Sequence, residues 1–170
     1  FSFERYFHFV NDYDYTIYID NDVYIYPDAQ QLPDINGLMN VREPEGNSSK
    51  IFREVNNLSN DSQYFNSGVT FCDNNTANIL SNYMLNRLKN KIRSKGKNSD
   101  NMLLNEFIIE NKNIFKELGA EWNYMPFLKN SQKISKPNFF HFVGIAGKQI
   151  INKLQENKIN ILDFLHQIKK

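Results

Sequence analysis

Short apolar runs alternate with polar intervals along the chain, and the first run raises a chemical question. Residues 15–26, YTIYIDNDVYIY, place apolar side chains on both sides of three polar ones, Asp20, Asn21 and Asp22. The segment otherwise reads as a buried strand, yet ionised carboxylates are costly to bury unless something pairs with them. Just before it, residues 3–10 are aromatic-rich and predict a helix, closed by the turn-prone Asn11-Asp12-Tyr13-Asp14. Helix followed by strand is half of an α/β unit.

Beyond Pro27 the pattern loosens. Pro27, Pro33, Gly37, Pro44 and Gly46 punctuate residues 27–60, which read as mostly loop with a short strand at 37–41. Residues 64–72, YFNSGVTFC, form a second strand-like run interrupted by Asn66-Ser67-Gly68, where a glycine suggests a bulge or a close approach by another group. Helical spacing follows over 74–93, through Ile79, Leu80, Tyr83, Met84, Leu88 and Ile92, with Asn74 or Asn75 as cap. A second helix is predicted over 100–111, capped by Ser99 or Asp100. Short aromatic strands are expected at 122–126 (WNYMP) and 138–143 (NFFHFV), and residues 148–170 predict one amphipathic helix.

Composition narrows the classes. A chain of 170 residues, 41% hydrophobic, can bury one sizeable core, so a single domain over 1–170 is expected. With 20 basic against 19 acidic residues, no global field points to nucleic acid. One cysteine, Cys72, leaves no internal disulfide framework. No run reaches the ~18 apolar residues of a membrane span. The opening FSFERYFHFV has neither an initiator Met nor the regions of a signal peptide, and a piece of a longer protein in the cytoplasm is expected.

In an open α/β sheet, ligands bind beyond the carboxyl ends of the strands, and Asp20 and Asp22 would stand there. Alternate residues of an extended chain point the same way, so Asp-x-Asp offers two carboxylates on one side. Hard divalent ions such as Mg²⁺ or Mn²⁺ take such oxygens together with substrate phosphates. A calcium loop of the EF-hand type needs a glycine at its sixth position, where Ile25 stands.

Five segments taken in order resemble the family 8 glycosyltransferases, the group containing glycogenin and the bacterial lipooligosaccharide galactosyltransferases. They are YIDND; Phe65 to Val69 (FNSGV); Asp100 to Asn105 (DNMLLN), with Asn101 where the family usually has Gln; Trp122 to Pro126; and His141 to Gly144 (HFVG). The resemblance implies an A-type glycosyltransferase fold, a Rossmann-like mixed α/β sheet flanked by helices, beginning part-way into the family's catalytic domain. It implies Mn²⁺, or Mg²⁺, held by Asp20, Asp22 and His141, and bridging to the diphosphate of a UDP-sugar, UDP-glucose or UDP-galactose.

By the same resemblance Gly144 and Lys148 would meet the diphosphate, although the family's lysine usually stands one residue earlier, at Gly147. Arg5 would face the donor from the first helix. Asn66, Asp100 and Asn101 would line the donor-sugar pocket, with Asn101 placed to position groups and stabilise charge, since an amide is a poor nucleophile. Transfer in the family retains anomeric configuration, by a covalent intermediate or by front-face attack. The acceptor would be a glycan or a lipid-linked saccharide, and the basic ends of the last helix (Lys153, Lys158, Lys169, Lys170) would support peripheral contact with the inner face of a membrane. The competing expectation is a non-catalytic or truncated module of the same fold that binds metal or glycan only.

Overall fold

The computed structural model describes residues 13–89 and 100–168. The helix expected at 3–10, Arg5, residues 90–93 of the helix predicted over 74–93, and Ser99, Lys169 and Lys170 lie outside the described residues. Strand β1 (Tyr15–Ile19) pairs antiparallel with β4 (Phe65–Asp73) in register from Tyr15↔Asp73 to Ile19↔Val69. On the other edge β4 pairs antiparallel with β3 (Leu38–Arg42), which pairs in parallel with β5 (Phe115–Leu118). The sheet order is β1-β4-β3-β5, and a separate two-stranded sheet joins β2 (Val23–Ile25) to β6 (Phe139–His141). The sheet is mixed and flanked by helices, as expected.

The central strand β4 is buried over eight of its nine residues because both faces are covered. On one face, Phe65 and Cys72 pack against Ala77, Leu80 and Met84 of α2 (Asn74–Lys89) and Leu103, Leu104 and Phe107 of α3 (Asp100–Glu110). On the other, Val69 and Phe71 meet Met39, Val41, Trp122, Met125 and Phe139. A strand covered twice reads as a continuous apolar run, which is why 64–72 lacks alternation. Its interruption is a bulge: Asn40 faces Thr70 but Arg42 faces Phe65, so the chain between loops out. The Asn40 amide holds the loop by donating to Asn66 O (3.1 Å), Val69 O (3.0 Å) and Thr70 Oγ1 (2.8 Å).

Several elements differ from expectation. The stretch 27–60 contains a helix, α1 (Asn47–Val55), started by Ser49 Oγ accepting the Gly46 N–H at 3.1 Å. Strand 122–126 does not form. A 3-10 turn over Ala120–Trp122 drives Trp122 edge-on against Phe71 and Phe139, Tyr124 makes a lone bridge to Phe140, and Pro126 has no N–H to continue a ladder. The cap of α2 is Asp73, whose Oδ1 accepts the Thr76 N–H at 2.7 Å, one residue before the asparagines. The single helix expected over 148–170 is two, α4 (Gly144–Glu156) and α5 (Ile161–Ile168). It breaks where the Asn157 side chain folds back onto Lys153 O (2.8 Å) and Lys158 adopts φ 51°. Among the described residues no helix is long and apolar enough to cross a membrane.

Candidate functional site

The strand run 15–26 is not one strand. At its polar centre the chain leaves the main sheet: the Asp20 N–H still reaches Gly68 O across from β4 (2.8 Å), then Val23 N donates to Asp20 O (3.2 Å) and β2 departs to pair with β6. The two carboxylates converge through this turn, not through the alternation of an extended chain. Register brings Val23 opposite His141, and the Phe142 N–H binds Asp22 O at 2.9 Å. Asp20, Asp22 and His141 each offer a ligand atom within 4.8 Å of the others. His141 Nε2 lies 3.1 Å from Asp22 Oδ1, and Tyr18 Oη donates to Asp20 Oδ1 at 2.6 Å.

Burial pushes the Asp22 carboxyl up, but the hydrogen bond and charge of His141 and the charge of Lys148 outweigh it and hold Asp22 below its ordinary value. Lys148, an exposed side chain on the second turn of α4, is therefore near enough to act on the cluster. Gly147 explains why the cation stands there and not one residue earlier. A Cβ on Gly147 would lie 2.0 Å from the Phe142 carbonyl oxygen, so that position is closed to any side chain. Gly144, with φ +80°, opens α4 in a conformation that other residues resist. His141 is 2% exposed. Its ring lies on the β4 bulge, where a Cβ on Gly68 would sit 2.1 Å from its Cε1.

From His141 a buried polar chain runs inward. His141 Nδ1 meets Asn123 Oδ1 (2.9 Å), Asn123 Nδ2 donates to Asn66 Oδ1 (3.0 Å), and Asn66 Nδ2 donates to Glu43 (3.0 Å). Asn101 Nδ2 donates to the same Glu43 oxygen (3.3 Å) and to Tyr64 Oη (3.0 Å). Asn101 Oδ1 is buried and, among the described residues, has no hydrogen-bond partner. Burial raises the Glu43 carboxyl above its ordinary value against the pull of the two amides. Thus Asn66 and Asn101 share a carboxylate, Asp100 opens α3 beside Asn101, and the chain joins this group to His141. Glu43, Asn123, Tyr64 and Tyr124 also line a cavity of about 620 Å³.

Sequence reasoning missed Glu43, Tyr64 and Asn123. Asn123 stood in the quoted WNYMP motif without a role, and Glu43 sat in a stretch read as loop. Only the fold, which brings together positions as far apart as 43 and 101, reveals them.

The family model described as "Glycosyl transferase family 8" matches residues 5–148. No curated protein matches the chain. Among solved structures, the chain is similar to the galactosyltransferase LgtC in complex with donor and acceptor sugar analogues (TM-score 0.58, 15% identity, 84% of this chain and 58% of that one). It is also similar to the bifunctional glycosyltransferase WbbM (TM-score 0.58, 16% identity, 85% and 31%) and to mouse xyloside xylosyltransferase 1 (TM-score 0.51, 14% identity, 82% and 61%). At such identities the likeness is one of fold, and the chain spans less than two thirds of each of these structures.

Proposed function

The chain belongs to glycosyl transferase family 8 and has the A-type glycosyltransferase fold, and from that premise we propose that it is a retaining hexosyltransferase moving glucose or galactose from a UDP-sugar to a glycan, with Mn²⁺ as its ion. The meeting of Asp20, Asp22 and His141 within 4.8 Å carries the reading. Two carboxylates and an imidazole suit a first-row divalent ion, and Mg²⁺ is the harder alternative. A bound ion would supply Lewis-acid stabilisation of the departing diphosphate.

The remaining work belongs to the chain's own groups. Lys148 adds positive charge on the side of Asp22, and the N-terminus of α4 at Gly144 offers backbone N–H groups to phosphate oxygens. Asn101 has its amide nitrogen tied to Glu43 and Tyr64, so its buried oxygen is the pole left for a sugar hydroxyl or for positive charge at the anomeric carbon. That presentation favours front-face attack over a covalent intermediate, since the amide oxygen positions and stabilises but does not readily add. No protein base is needed if the leaving phosphate takes the acceptor's proton. Asp100 would hold a donor hydroxyl, and the 620 Å³ cavity, with several carboxylates and two tyrosines in its wall, has the size and chemistry for the end of a saccharide acceptor.

The test is a panel of UDP-sugars offered to the full-length protein with Mn²⁺, followed by hydrolysis and transfer assays. Turnover of UDP-glucose or UDP-galactose that disappears in Asp22→Ala is expected. No turnover of any donor, with Mn²⁺ affinity unchanged in Asp22→Ala, would overturn the reading in favour of a non-catalytic module.

A further inference from the structure

The polar chain behind His141 admits one assignment of donors and acceptors. It begins at the Gly68 backbone N–H, which can only donate, and which meets Asn66 Oδ1 at 2.8 Å. Asn66 therefore turns its oxygen to that side and its nitrogen to Glu43. The same oxygen lies 3.0 Å from Asn123, so Asn123 must present its NH₂ there. The Asn123 oxygen then faces His141 Nδ1 at 2.9 Å, and an oxygen at that place requires an N–H. Nδ1 therefore carries a proton, and Nε2 is the nitrogen left facing Asp22 Oδ1, 3.1 Å away, where it donates to the carboxylate when protonated and offers its lone pair to a cation when not.

We propose that Asn123 and Asn66 are positioning residues that lock His141 in the Nδ1–H tautomer and so aim Nε2 at the divalent ion. Free imidazole side chains in water prefer the opposite tautomer, which would put a proton where the ion must bind. The lock is dry: Asn66 is 6% exposed, Asn123 0% and His141 2%, so water cannot replace a missing partner. Partners of this kind orient metal-binding histidines generally. Here the reference point is a backbone amide three hydrogen bonds removed from the imidazole, held by the β4 bulge. With Nε2 unprotonated, two acceptors face each other at 3.1 Å, an arrangement that a cation between them relieves.

The inference also redefines Asn66. Its oxygen already accepts from Gly68 and Asn123, and one of its N–H groups serves Glu43, which leaves a single N–H for any sugar. Asn66 then acts on the reaction chiefly through His141. The proton on Nδ1 follows from the hydrogen bonds alone, and only its purpose rests on the reading of His141 as a metal ligand.

The experiment is long-range ¹H–¹⁵N correlation on the metal-free, full-length protein with ¹⁵N-histidine, recorded as a pH series. It reports which nitrogen of His141 bears the proton and needs no variant. Nδ1–H is expected, and Nε2–H would overturn the proposal. In Asn123→Leu the Nε2–H form should gain population and Mn²⁺ affinity, read by electron paramagnetic resonance, should fall about 10- to 100-fold. Asn123→Asp loses the donor to Asn66 but keeps an acceptor for Nδ1–H, so the proton should stay on Nδ1 even where affinity falls, with circular dichroism melts checking that both variants fold. A Leu variant with the wild-type tautomer would contradict the lock. Nδ1–H in a wild-type protein that binds no Mn²⁺ would support the lock and overturn the metal reading separately.

Discussion

Replacing Gly68 by alanine tests the packing on which the site depends. The new Cβ would lie 2.1 Å from His141 Cε1, 2.8 Å from its Nδ1 and 2.9 Å from Asn66 Oδ1. Carbon atoms rest at about 3.5 Å, so the ring must retreat by roughly 1.4 Å. No flexible chain end is available to give way, because the neighbours are a ring and a hydrogen-bonded amide. A displacement of that size breaks the 2.9 Å contact of Nδ1 with Asn123 and removes Nε2 from Asp22. Overpacking costs about 1–3 kcal/mol and an orphaned buried polar group about 1–3 kcal/mol more, so a loss of about 2–6 kcal/mol is expected. Urea unfolding followed by circular dichroism measures it, and Mn²⁺ titration should show affinity reduced at least tenfold. A Gly68→Ala protein that unfolds at the wild-type urea concentration and binds Mn²⁺ within a factor of two would refute the reasoning.

Glu43 has a carboxyl raised above the ordinary 4.5 by burial, so between that value and its folded one the folded chain keeps a proton that the unfolded chain has released. Stability should therefore decline as pH rises through that window, and Glu43→Gln should remove the decline in melts recorded from about pH 4 to 8; an unchanged slope would contradict the assignment. Cys72 is 0% exposed and its thiol is pushed up by burial, with the Asp73 charge adding to the effect. A thiol-reactive aromatic disulfide should label it only at the rate of unfolding, and a rapid native phase would show the β4–α2 interface to be open. Phe71, fully buried, packs edge-on against Trp122 and parallel to Phe139 at centroid distances of 5.6 and 6.1 Å. Phe71→Ala should cost about 3–5 kcal/mol in the same urea assay, and a cost under 1 kcal/mol would argue against this core.

What the sequence made legible is what local patterning controls. The β4 run, its bulge at Asn66-Ser67-Gly68, and helices α2 and α3 follow from apolar periodicity and from one glycine. Helix α1 was hidden because its apolar residues, Ile51, Phe52 and Val55, are few and lie among Pro and Gly signals. The break between α4 and α5 depends on a side-chain-to-backbone bond at Asn157 and on a left-handed lysine, neither of which amphipathic spacing records. At the site, Asp20, Asp22 and His141 came from motif order, and the structure brings them together. The mode of their meeting was not legible, since it arises when β2 leaves the sheet to join β6. The polar chain through Asn123, Asn66 and Glu43 links residues 18, 57 and 23 positions apart, and no local pattern encodes such bonds.

The central claim is that Asp20, Asp22 and His141 form one divalent-cation site. Its most direct measurement is the binding of Mn²⁺, with and without UDP, to the full-length wild-type protein and to Asp22→Ala, read by electron paramagnetic resonance. One Mn²⁺ per chain, held more tightly with UDP and lost in Asp22→Ala, is the predicted result. Equal Mn²⁺ binding by both proteins, indifferent to UDP, would contradict it.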